Sequence, residues 1–190
     1  MSTRKLALLI ILTALCLALQ ITPRPPNVEF TSFLSFVMGL TGGVAVGAIF
    51  GSFVMLVNGF LSPSGFGGLN IPFQMVGMVF AAVVGSLYRR FTGSICFSAR
   101  FYLETAVLGA FVALIYDLIT NFGVGFQLIL TGESPSLAMF TALANGAPFS
   151  LLHIVSNSLV FGVLFLPITS ALNSLKVGES QWLKKERLYS

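Results

Sequence analysis

Apolar residues run along this chain in long blocks, separated by short clusters of Gly, Pro, Ser and Asn. Such blocks lack the alternation of a half-buried strand and the narrow stripe of a soluble amphipathic helix, so they predict helices that are apolar on every side. The first runs from Leu6 to Thr22, where the Pro-rich TPRPPNVEF ends it and forms a loop. A second, short block covers about Thr31 to Leu40, and TGG at Thr41 to Gly43 turns the chain into a third, Val44 to Leu61. SPSGFGGLN, Ser62 to Asn70, can neither pack nor continue a helix, and a fourth block follows from Ile71 to Tyr88. Beyond the polar connector RRFTGSICFSAR, Arg89 to Arg100, the fifth covers Tyr102 to about Phe122. A loop near Gly132 to Ser136 precedes the sixth, between about Ala147 and Leu172.

Composition assigns the solvent. Of the 190 residues 56% are hydrophobic and only 8% charged, and the mean hydropathy is +0.94. That balance belongs to a polytopic membrane protein. The blocks predict an all-α fold, a compact bundle of six transmembrane helices in which residues 1–190 form one integral membrane domain. The formal charge of +4 would suggest a nucleic-acid partner in a soluble chain, but here its placement explains it better. With six crossings, Arg4, Lys5, Arg89, Arg90, Arg100, Lys176, Lys184, Lys185 and Arg187 share one side and only Arg24 faces the other. The positive-inside rule then makes both termini cytoplasmic. The opening MSTRKLALLIILTALCLALQ also has the basic and apolar regions of a signal peptide. Its apolar stretch is long and ITPRPP offers no small-x-small cleavage site, so it is read as a retained helix. Cys16 in the first block and Cys96 in the cytoplasmic connector are placed too far apart for a disulfide.

Two spacings concern packing. Gly39, Gly43, Gly47 and Gly51 recur every four residues, the last three on one helix face where a neighbouring backbone can come close. Ala14 and Ala18 in ALCLA repeat that spacing and, alone, predict only packing inside the bundle.

Polar groups inside the blocks say more, because in lipid each must find a partner or line a wet cavity. Asp117 and Asn121 share a face of the fifth helix, and Ser150, His153 and Asn157 share one of the sixth. Counted from the expected helix ends, Asp117 lies about 22 Å up from the cytoplasmic side and His153 about 9 Å in from the outer end, so the two faces meet at one depth. Asn70 and Gln74 open the fourth helix on the outer side, Asn58 closes the third, and the first loop brings Asn27 and Glu29. These residues predict an outward-opening polar pocket ringed by Phe66, Phe73, Tyr116 and Phe149, with the Gly-rich segments as lids. The alternative is a buried Asp117–His153 pair that only joins two helices.

Catalytic signatures are missing. His153 is the only histidine, without a Gly-x-Ser-x-Gly nucleophile setting. There is no His-Glu-x-x-His, no ligand cluster for a metal and no P-loop. No catalytic residue, metal or cofactor is therefore expected. An autonomous secondary transporter would show duplicated halves, and no internal repeat is visible.

ALCLA in the first helix, PNVEF after it, IPFQMVG opening the fourth, YDLITN closing the fifth and GAPFSLLHIVSN in the sixth make the chain resemble the substrate-binding (S) components of energy-coupling factor (ECF) transporters. The resemblance implies a non-enzymatic binder, multi-pass in a cell membrane, that captures a vitamin or related micronutrient. It implies an ECF module as partner, made of a transmembrane coupling protein and two ATPases, with the bilayer as surroundings and no nucleic acid. Asn27, Glu29, Asn70, Gln74, Tyr116, Asp117, Asn121, His153 and Asn157 are the expected ligand-binding residues. By resemblance, Ala14 and Ala18 become the face that docks on the coupling protein, and the loops Pro23 to Phe30 and Ser62 to Asn70 gate the pocket. The slightly acidic outer side leans towards a neutral or cationic ligand. Cobalamin-like compounds, queuosine-like or other nucleobase derivatives and pantothenate all stay open. So do a non-transport assembly role and an intramembrane hydrolase.

Overall fold

Six helices account for nearly all of the described chain: α1 (Thr3–Ile21), α2 (Thr31–Gly42), α3 (Val44–Leu61), α4 (Ile71–Phe91), α5 (Ala99–Leu130) and α6 (Pro135–Ser174). The computed structural model describes residues 3–23, 25, 27–62, 65–92 and 98–174. Arg24, Cys96, Lys176, Lys184, Lys185 and Arg187 lie outside the described residues. Length and apolarity qualify four helical segments to cross a bilayer, Val44–Leu61, Gly68–Phe91, Ala99–Leu130 and Pro135–Leu172. The apolar stretches Leu6–Ile21 and Thr31–Gly42 are shorter. Large apolar side chains such as Ile11, Ile49, Phe60, Leu103 and Val163 point outward. An all-helical chain with this exterior is compatible with a multi-pass membrane protein.

The shortest helix is the best buried. Every residue of α2 from Thr31 to Thr41 is buried, as expected for a helix that is apolar or small on all sides. Its hydroxyls are satisfied internally: Thr41 Oγ1 donates to the Val37 carbonyl at 2.8 Å, and Ser35 Oγ lies 3.6 Å from Met78 Sδ on α4. Glycines bring the neighbouring helices close. A Cβ on Gly39 would strike the Ala82 backbone, one on Gly85 would strike the Phe36 carbonyl, and one on Gly47 would lie 2.6 Å from Gly39 N. Gly43 is not part of this face. It adopts φ 88° and makes the turn from α2 to α3, a conformation that favours glycine. Deeper in the bundle, Phe36 and Phe33 pack edge-on to Phe161 at 5.2 and 5.1 Å, which fixes α2 against α6.

The expected boundaries fail at the second hairpin. α5 continues eight residues past Phe122 to Leu130, and α6 starts at Pro135 rather than near Ala147. Glycines within the extra turns serve as contacts, Gly123 against Asn70 and Phe73, Gly125 against Met139, and Gly146 against Asn121. The turn is only Thr131 to Ser134, where Gly132 at φ 102° and Glu133 donate their N–H groups to the carbonyls of Ile129 and Leu128. His153 therefore lies about 27 Å along α6 from its start, not 9 Å. It still meets Asp117.

Candidate functional site

The periodicity of α5 and α6 turns Asp117 and His153 toward each other, and the α1–α2 connection adds a third group. His153 Nδ1 lies 2.8 Å from Asp117 Oδ1 and its Nε2 lies 3.2 Å from Glu29 Oε1. All three side chains are buried, with relative exposures of 1% for His153, 4% for Asp117 and 6% for Glu29. Glu29 sits just before the first turn of α2 and accepts the backbone N–H groups of Thr31 and Ser32, the latter at 3.0 and 3.1 Å. Free amides at a helix start favour an anion. Burial opposes the charge on Glu29, but the His153 hydrogen bond and charge and the Ser32 contacts outweigh it, holding the carboxyl at about 2.

This pattern restricts the protons. Glu29 accepts from two amides, so His153 Nε2 must be the donor on that side. One further proton is shared between His153 Nδ1 and Asp117 Oδ1, and whichever atom carries it, the three groups together bear one negative charge. Among the described residues no group makes a hydrogen bond of normal geometry to the buried Asp117 Oδ2, and the Ser150 hydroxyl is the polar neighbour of this carboxyl. The ring edge of Tyr116 packs on His153 with centroids 5.3 Å apart. The first loop is tied down as well: the Ser156 hydroxyl has the Asn27 carbonyl at 3.3 Å and the His153 carbonyl at 3.0 Å as acceptors. Asn27 itself adopts φ 57°, a left-handed turn conformation that asparagine tolerates.

Two cavities adjoin this relay. One, of about 300 Å³, is walled by Asn70, Asp117, Thr120, Asn121, Asn145 and Ser150 among others. The second, of about 310 Å³, reaches Gln20, Glu29, Met55, Asn58, Ser62 and His153. Asn27, Gln74, Tyr116 and Phe149 line both, so the two form adjoining chambers under the connections that follow α1 and α3. Asn58 Oδ1, Asn70 Oδ1 and Gln74 Oε1 are further buried oxygens without partners. No described residue lining either chamber is a lysine or arginine. Glu29 and Asp117 bind opposite nitrogens of one ring, and no group of three His, Cys, Asp or Glu converges as a ligand set among the described residues.

Eight of the nine expected ligand-binding residues, Asn27, Glu29, Asn70, Gln74, Tyr116, Asp117, Asn121 and His153, line one chamber or both. Asn157 does not. It is fully buried one turn beyond His153, donates to the His153 carbonyl at 3.3 Å and packs at the Gly109 crossing, where a Cβ would lie 2.6 Å from its carbonyl. Of the expected aromatic ring, Phe66 packs at a tilt against Phe60 with centroids 5.4 Å apart and Phe73 edge-on against Phe122 at 6.0 Å, and neither lines a chamber. Sequence reasoning missed Ala142, Asn145 and Gly146, because they precede the expected start of the sixth helix near Ala147. Steps of three and four back from His153 through Ser150 or Phe149 would have reached them. Ala14 and Ala18 are exposed on α1, and Ala14 lines an apolar groove of about 380 Å³ with Leu17, Ile49 and Phe53. The chain matches no protein-family model, no curated protein and no solved structure.

Proposed function

We propose that the protein is a membrane-embedded capture subunit, the S component of an ECF-type transporter, that takes a small polar micronutrient from outside the cell into the paired chambers. The observation carrying this reading is the pair of polar cavities, walled by amides and a partly unsatisfied carboxylate, inside an otherwise apolar helical bundle. Buried oxygens without donors are destabilising unless something hydrogen-bonds them. A ligand is the natural donor. In this reading all six helices cross, the shorter α1 and α2 included, and both termini are cytoplasmic. The exposed small residues Ala14 and Ala18 form the docking face for the coupling protein, where small side chains let a partner helix approach closely. Two ATPases in trans supply the energy.

Co-purification tests this reading. The tagged protein is expected to bring down a coupling protein and two ATPases, and Ala14→Trp or Ala18→Trp is expected to lose them while keeping ligand binding. Tight ligand binding with no such partners would reject the ECF assignment. A purely structural role is favoured by one observation, the pairing of both His153 nitrogens, which clamps the first loop, α5 and α6 together. That role predicts no ligand at all.

A further inference from the structure

Resting on the capture reading, we propose that the chamber beside Asp117 selects a small positively charged nitrogen compound, an amidine or amino-heterocycle, whose N–H donates to Asp117 Oδ2. Three observations converge on this. Glu29, His153 and Asp117 share their protons so that the trio keeps one negative charge wherever the mobile proton sits. The described residues around the chambers contain no lysine or arginine to neutralise it. Asp117 Oδ2, which lacks a hydrogen bond of normal geometry among the described residues and has only the Ser150 hydroxyl beside its carboxyl, is an acceptor in either proton arrangement.

A net buried charge is unstable unless compensated, and a cation that enters past the Ser150 hydroxyl compensates it. A carboxylate ligand would instead add a second negative charge at short range. The other walls agree. Asn70 Oδ1 and Gln74 Oε1 lack donors, so a ligand bearing several N–H groups satisfies them together. Tyr116 and Phe149 line both chambers and offer aromatic surface to a flat cation.

Benzamidine, benzamide and benzoate match in shape and differ in charge, so calorimetric titration of the detergent-solubilised protein with each reads the preference directly. Benzamidine is expected to bind about tenfold or more tightly than benzamide, the gain of a charge-assisted over a neutral hydrogen bond, and benzoate weakest. Asp117→Asn is expected to abolish the benzamidine preference. Because that variant removes a buried hydrogen-bond partner, Thr120→Lys serves as a second test. Thr120 lies on the chamber wall one turn from Asp117, and a lysine there supplies a cation from within the chain. It should assemble and lose benzamidine binding. Equal or stronger binding of benzamide or benzoate, silence towards all three probes, or undiminished benzamidine binding in Thr120→Lys overturns the cation assignment. A neutral or anionic vitamin bound in the same chamber would leave the capture reading standing, whereas silence towards the probes and a vitamin panel together would remove both.

Discussion

Glu29→Gln isolates the charge of the loop carboxylate, because glutamine keeps the shape and one acceptor while mimicking the protonated acid. The wild-type carboxyl is held at about 2 against an ordinary 4.5. At neutral pH this difference favours the folded protein by about 3 kcal/mol. A lowered carboxyl value means that the contribution is complete above pH 4.5 and fades as pH falls towards 2. Glu29→Gln is therefore expected to unfold roughly 10 °C below wild type at pH 7. Near pH 3 the gap should shrink to about half. Thermal unfolding of both proteins in one detergent, followed by intrinsic fluorescence between pH 3 and 7, measures it. No gap at pH 7, or the same gap at pH 3, would show that Glu29 is not an ionised partner of His153 and the start of α2.

Three further outcomes follow from the packing and the site. His153→Ala strands two buried carboxyl groups and should destabilise by about 3–5 kcal/mol in the same assay; a loss under about 1 kcal/mol would mean that the trio is not paired. Gly85→Leu drives a side chain into the Phe36 backbone and should lower stability by about 3 kcal/mol, read as a lower unfolding temperature, whereas wild-type stability would contradict the α2–α4 contact. Ala14→Trp, on the exposed face of α1, should leave unfolding unchanged while removing the coupling partner from pull-downs.

Legibility in the sequence tracked the kind of force involved. α3 and α4 were readable because SPSGFGG between them gathers several breakers in a row, and α2 was readable as a short separate element because Gly43 turns the chain. The α5–α6 hairpin was misread for a tertiary reason. Gly123, Gly125 and Gly146 look like turn residues locally, yet each occupies a place where another side chain needs the room. Within the site, spacing by four placed Asp117 and His153 on facing surfaces, since periodicity fixes which face a side chain takes. It could not distinguish His153 from Asn157, which share that face but lie one turn apart, one beside the chambers and the other sealed below them. Nor could it show that Glu29 both binds the helix start and completes His153, because that pairing spans 124 positions of chain.

The central claim is that the chambers beside Asp117 hold a small molecule, and a thermal-shift screen of the detergent-solubilised protein against vitamins and their precursors, run in parallel on wild type and Asp117→Asn, tests it most directly. At least one compound is expected to raise the wild-type unfolding temperature by several degrees, with the shift reduced or lost in Asp117→Asn. If no compound stabilises the wild type, or one stabilises both proteins alike, then Glu29, His153 and Asp117 serve only to join helices and the capture account is wrong.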